Sequence, residues 1–261
     1  MINRASQTAT PPGANCWRVR GFHIRLFIMR FESAIPVRRA NLSWFAHALA
    51  LAGLWIFPLA GFADPATNAP GRKTIVVLGD SLAAGYGLDP SEAFPALLQA
   101  KIDAAGWNFT VINAGVSGDT SAGGLRRMDW LLRRKLDVLV LELGGNDGLR
   151  GIPVSETRTN LQAIIDHARE KYPGIQIVIA GMQMPPNMGE EYNQAFQKIF
   201  PDLARANQAA LVPFLLEGVG GIPDLNQPDH IHPTAEGDKI VADNVWKILM
   251  VVLQKLNAAA G

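Results

Sequence analysis

The chain has 261 residues, 24 of them basic and 23 acidic, with 48% apolar side chains, a length that suits one or two domains with a sizeable core. Residues 1–63 hold seven arginines and one acid, Glu32, so residues 64–261 keep 17 basic against 22 acidic side chains, a net −5 with histidine neutral that argues against nucleic acid or an anionic surface as the main partner. The one cysteine, Cys16, lies in 1–63, which leaves the remainder without a disulfide, a thiolate metal site or a cysteine nucleophile.

Residues 1–63 read as a leader. Arg38 and Arg39 precede an almost wholly apolar stretch over 42–62, Pro58 lies near its end, and Gly61-Phe62-Ala63 offers small residues at the positions a signal peptidase reads. Cleavage is expected after Ala63. Left uncleaved, a stretch of this length spans a bilayer and acts as an anchor. Phe62 stands where a lipoprotein signal needs its cysteine, so a lipid anchor is not expected. A translation start at Met29 gives a more ordinary leader than one at Met1. Residues 64–72 form a polar linker bearing Pro and Gly, and 73–257 form the folded domain.

Within that domain apolar strands alternate with amphipathic helices. The spacing predicts strands over 74–78, 109–112, 137–143, 175–180 and 211–214, the third interrupted only by Glu142. It predicts helices over 93–105, 126–135, 155–172, 192–207 and 233–256, the last with Pro233 in its first turn. Strands apolar on both faces and separated by helices imply a parallel sheet covered on both sides. The expected fold class is α/β, a flavodoxin-like three-layer α/β/α sandwich around five parallel strands. Ligands of such sheets sit at the carboxyl ends of the strands. Gly79-Asp80-Ser81, Asn113-Ala114-Gly115 and Gly144-Gly145-Asn146-Asp147 all fall at that edge.

Ser81 follows a strand directly, where its hydroxyl has little steric cover; a lone Gly-Asp-Ser is otherwise more often a helix cap. Gly-x-Ser-x-Gly occurs nowhere, which disfavours an ordinary α/β-hydrolase. Ser117 is the runner-up nucleophile. Residues 64–261 hold three histidines. His167 reads as a solvated helix position, whereas His230 and His232 share the loop before the last helix. His232 is preferred as base because Asp229, three residues earlier, can turn back to orient it; a helix N-terminus beside it would keep the ring neutral. The Ser81 N–H, the Gly115 N–H and the Asn146 amide are suitable donors for an oxyanion, each worth roughly a hundredfold to a thousandfold in rate.

The blocks GDSLAAGYG at 79–87, INAGVSGDTSAGG at 112–124, LELGGNDGLRG at 141–151 and DHIHP at 229–233 resemble the SGNH, or GDSL, hydrolase family, with the nearest likeness to its bacterial periplasmic thioesterase/lysophospholipase and arylesterase members. The resemblance implies Ser81 as nucleophile, Gly115 and Asn146 completing the oxyanion hole, His232 as base, Asp229 as its orienter, and no metal or organic cofactor. It also implies substrate contacts from Asp147 and Leu149, in a mobile-looking loop that closes over the acyl chain, and from Met182, Met184 and Pro185 beside the acyl pocket. The segment 181–189 is shorter than the thioesterase pattern, which leans toward the arylesterase branch. The expected protein is thus a secreted, periplasmic serine hydrolase acting on small-molecule esters, lysophospholipids and thioesters, free of nucleic acid and of a stable membrane anchor once the leader is removed. A carbohydrate O-acetylesterase on the same scaffold and a non-catalytic binding domain are the alternatives.

Overall fold

The computed structural model describes residues 71–258. The leader, its cleavage point after Ala63 and all but the last two residues of the linker lie outside the described residues.

Five parallel strands form one sheet: β1 (Lys73–Gly79), β2 (Phe109–Gly115), β3 (Val138–Glu142), β4 (Gln176–Ala180) and β5 (Ala210–Val212), in the spatial order β2-β1-β3-β4-β5. This is the flavodoxin-like order expected. Ile75 through Leu78 on β1 and Val138 through Leu141 on β3 are wholly buried, so these β-branched and leucine side chains are covered on both sheet faces. The covering helices are α2 (Phe94–Ala104) and α8 (Ala235–Ala258), packed on each other, and α6 (Val154–Lys171), packed against α3 (Ser121–Arg126) and α7 (Glu190–Ala206). On α7 the buried side chains Phe196, Ile199, Phe200, Leu203 and Ala204 recur at three- and four-residue spacing, one stripe of a helix turned inward.

Register positions the site. Gly79 pairs with Gly115 on β2 and with Glu142 on β3, so the three chains leave the sheet at one level. Immediately beyond lie α1 (Ser81–Ala84), the loop after Gly115, and α5 (Gly145–Leu149).

Four differences from expectation bear on the site. The helix predicted over 126–135 is two short pieces, α3 and α4 (Met128–Leu131), broken at Arg127. Thr120 caps α3 by accepting the Gly123 N–H, and the Arg127 side chain turns inward to the sheet edge instead of outward to solvent. Strand β2 runs on to Gly115 because its backbone stays paired with β1 to the end. Pro233 lies outside α8: it bridges antiparallel to Asn226, and Thr234 accepts the Gly237 N–H at the helix start. Residues 147–151, read as a mobile loop, begin inside α5 and are tied by backbone hydrogen bonds such as Ile152 N–H to Asp147 C=O.

Candidate active site

Ser81 is the first residue of the one-turn helix α1. Its own N–H therefore has no intrahelical acceptor. Asp80 caps the turn, Oδ1 accepting the Leu82 N–H at 3.0 Å. From beneath, Glu142 Oε2 accepts the N–H groups of Asp80 (3.1 Å) and Ala83 (3.2 Å). Gly79 makes room for this carboxylate, since a Cβ there would fall 2.1 Å from Glu142 Oε2. Burial and the neighbouring Asp80 push the Glu142 carboxyl well above the usual range, and its Oε1 has no hydrogen-bond partner among the described residues.

The Ser81 hydroxyl lies 2.8 Å from His232 Nε2, and His232 Nδ1 lies 2.6 Å from Asp229 Oδ2. Asp229 Oδ1 accepts the N–H groups of Ile231 and His232 at 2.9 and 3.0 Å. Partial burial pulls this carboxyl up, but the His232 N–H, the His232 ring and the Ile231 N–H outweigh it and bring it down to about 2. The loop is locked further by Gln227, whose side-chain amide donates to Tyr86 C=O and Pro233 C=O. α8 starts three residues past His232, and the Asp229 carboxylate, which only accepts, makes Nδ1 the protonated ring nitrogen and leaves Nε2 toward Ser81.

The three expected oxyanion donors stand differently. Asn146 Nδ2 donates one hydrogen to Asp80 Oδ2 at 3.0 Å and has a second to give. The Gly115 N–H already donates to Asn113 Oδ1 at 2.9 Å, and Asn113 Nδ2 donates to Ala83 C=O at 2.7 Å. Arg127 fixes the peptides just behind, donating to Ala114 C=O (2.6 Å) and Gly79 C=O (2.9 Å) while pairing with Asp119 (2.8 Å).

A cavity of about 220 Å³ lies over Ser81, Asn146 and His232 and is walled by Tyr86, Ser117, Leu149 and Ile231. A groove of about 370 Å³ shares Leu82, Gly145, Leu149 and Ile231 with it and is lined by Met182, Met184, Pro185, Phe214 and Leu216. Leu149, Met182, Met184 and Pro185 are thus brought to one groove. Asp147 is not. It is fully buried, accepting from Ser121 N–H (2.8 Å), the Ser121 hydroxyl and the Thr157 hydroxyl (3.3 Å), and it ties α5 to α3 and α6. Ser117 walls the cavity but is not hydrogen-bonded to His232, and His167 is an exposed side chain beside Lys171 and Glu170 in a separate cleft.

Four neighbours of the site were not assigned from sequence: Tyr86, whose ring centroid is 4.5 Å from that of His232, and Glu142, Asn113 and Arg127. Only Glu142 leaves a signal, as the one charge in an apolar strand.

A hydroxyl, an imidazole and a carboxylate in hydrogen-bonded sequence, at the carboxyl edge of a parallel sheet and without the Gly-x-Ser-x-Gly turn, define a serine-type hydrolase on a flavodoxin-like scaffold. Residues 77–240 match the GDSL-like Lipase/Acylhydrolase family, and the chain belongs to that family. It is 42% identical over 188 residues to Esterase TesA of Pseudomonas aeruginosa, covering 72% of this chain and 92% of that one. It is 38% identical over 196 residues to the Thioesterase 1/protease 1/lysophospholipase L1 of Escherichia coli, covering 75% and 92%. Among solved structures, that of the psychrotrophic esterase EstA from Pseudoalteromonas sp. aligns with a TM-score of 0.66 at 35% identity, over 70% of this chain and all of that one. The protein is an ester-cleaving hydrolase of this family.

Proposed function

We propose that the enzyme works through an acyl-Ser81 intermediate. His232 Nε2 takes the Ser81 proton as Oγ attacks the ester carbonyl, and the resulting imidazolium, held by Asp229, returns that proton to the departing alcohol. Water then enters, gives a proton to the same nitrogen and releases the acid, restoring neutral His232 and the Ser81 hydroxyl. The oxyanion takes the Ser81 N–H and the free hydrogen of Asn146; Gly115 serves if its N–H turns from, or is shared with, Asn113. The observation that carries this reading is the unbroken run of 2.8 Å and 2.6 Å contacts from Ser81 through His232 to Asp229.

The apolar groove takes the acyl chain, with Leu149, Met182, Met184 and Pro185 as its contacts. It favours acyl esters, aryl esters and lysophospholipids over a carbohydrate acetate, which needs a small acyl pocket and a polar face. Thioesters, the bond class in the name of the Escherichia coli relative, fit the same chemistry, since a thiolate is the better leaving group. Each methylene buried is worth about 0.8 kcal/mol. A graded panel of aryl esters, lysophospholipids and acyl-CoA thioesters is therefore expected to show kcat/KM rising roughly a hundredfold between a four- and an eight-carbon acyl chain. Equal rates for acetyl and octanoyl esters would remove the groove from the account.

Export follows from residues 1–63: cleavage after Ala63 releases a periplasmic enzyme, and among the described residues no helix is long and apolar enough to cross a membrane. N-terminal sequencing of the periplasmic fraction is expected to start at Asp64; recovery of the intact leader in the membrane fraction would contradict it.

A further inference from the structure

The Asn146 amide has to present an N–H, not its carbonyl, to a developing oxyanion. Amide nitrogen and oxygen have nearly the same shape, so packing alone chooses poorly between the two orientations. The choice is made by a partner that only accepts. Asp80 Oδ2 supplies it, 3.0 Å from Asn146 Nδ2. A turned amide would set its oxygen against the carboxylate, and the favoured orientation leaves the second N–H of the planar group directed away from Asp80.

Asp80 is itself held on every side. It is nearly fully buried, its Oδ1 accepts the Leu82 N–H, and its own N–H is bound by Glu142 Oε2. Capping α1 needs only one oxygen, and Ser or Asn caps as well as Asp does. The second oxygen, aimed across at α5, is unexplained by capping.

We propose that Asp80 is a positioning residue that orients the Asn146 amide for the oxyanion, with Glu142 beneath it as the brace. The proposal rests on the reading of Asn146 as an oxyanion donor. Through this link the loop after β3 is aligned on the nucleophile turn after β1 by a charged hydrogen bond, stronger than a neutral one.

Asp80→Ser separates the two roles, since serine keeps an acceptor for the Leu82 N–H and loses the reach to Asn146. The measurement is kcat and KM on a short-chain p-nitrophenyl ester for wild type, Asp80→Ser, Asn146→Ala and the double variant, with thermal melting of each. Asp80→Ser is expected to lower kcat roughly ten- to a hundredfold, within the cost of losing one oxyanion donor, and to leave KM within about threefold. In the Asn146→Ala background it is expected to cost nothing more, which a purely structural role through α1 would not reproduce. Should the serine variant not fold, Asp80→Asn, of the same shape but no longer acceptor-only, carries the same expectations. Wild-type kcat in these variants, or an equal loss in both backgrounds, overturns the positioning role alone. Wild-type kcat in Asn146→Ala overturns the donor reading and the role of Asp80 with it.

Discussion

Asp229 divides two tasks between its two oxygens: Oδ2 takes the His232 ring, and Oδ1 gathers the N–H groups of residues 231 and 232. The division allows one task to be removed without the other. Asp229→Asn retains an oxygen for the two loop N–H groups but sets an NH₂ against the ring, which favours the wrong tautomer. Its kcat is expected to fall by about three to four orders of magnitude, by the loss seen when an orienting carboxylate of this type is neutralised, with the melting temperature almost unchanged. Asp229→Ala is expected to lose stability as well, because the loop loses its acceptor; equal kcat in wild type and Asp229→Asn would remove Asp229 from the relay. The depressed carboxyl has its own pH signature. Held at about 2 against an ordinary 3.8, it adds stability that is present above 3.8 and is lost as pH falls toward 2. Ser81, Asp229 and His232 were legible in sequence because one strand end and one short loop carry residue types that perform acyl transfer. Tyr86 was not, because its part is a ring packed on the His232 imidazole, and a lone aromatic in a glycine-bearing loop carries no pattern that points to such a contact.

At the scale of elements, the site depends on three short turns leaving one sheet edge together, and the residues that align them are mostly buried polar groups. Gly115 is the clearest case of sequence and structure assigning different weights. A Cβ there would lie 2.3 Å from the backbone N of Ala84, so close approach to α1 requires glycine whatever its N–H does. Asp147 shows the other kind of difference. Its place beside Asn146 made it a predicted substrate contact, but a helical turn at Gly145–Leu149 carries it to the side opposite the groove, where Ser121 and Thr157 meet it. Sequence spacing alone read that turn as a loop, because Gly144, Gly145, Gly148 and Gly151 are weak helix formers and its stability comes from these tertiary ties. Asp147→Ala is expected to cost about 3 kcal/mol of stability by stranding the Ser121 hydroxyl and N–H, measured by urea unfolding. A loss of acyl-chain preference without a loss of stability would return Asp147 to the groove.

For the molecule as a whole, buried carboxylates set an unusual pH dependence. Burial pushes Asp238, on α8, up to about 7 against the Phe94 N–H at the start of α2, and pushes Asp80 up to about 6 against its bonds from Leu82 and Asn146. Folded protein therefore binds protons between about 4 and 7 that unfolded chain does not. The cost of these groups is absent below 3.8, grows as pH rises, and is complete above about 7. Melting temperature is expected to rise as pH is lowered from 8 to 5, and Asp238→Asn, which keeps an acceptor for Phe94, is expected to flatten part of that rise. A melting temperature that falls over this range would contradict it. The parallel sheet and the four long helices α2, α6, α7 and α8 were readable from apolar periodicity, since burial on both faces leaves a plain pattern. The partners of the carboxylates that brace the edge were not, since periodicity reports where a side chain lies, as it did for Glu142, and not what it holds.

In the proposed reaction Ser81, activated by His232, carries the acyl group. Intact-mass and peptide mapping after reaction with a p-nitrophenyl alkylphosphonate, run on wild type and Ser81→Ala, tests it most directly. One adduct on the peptide containing Ser81, absent from Ser81→Ala together with ester turnover, is the expected result. An adduct on Ser117, or wild-type turnover in Ser81→Ala, would contradict it.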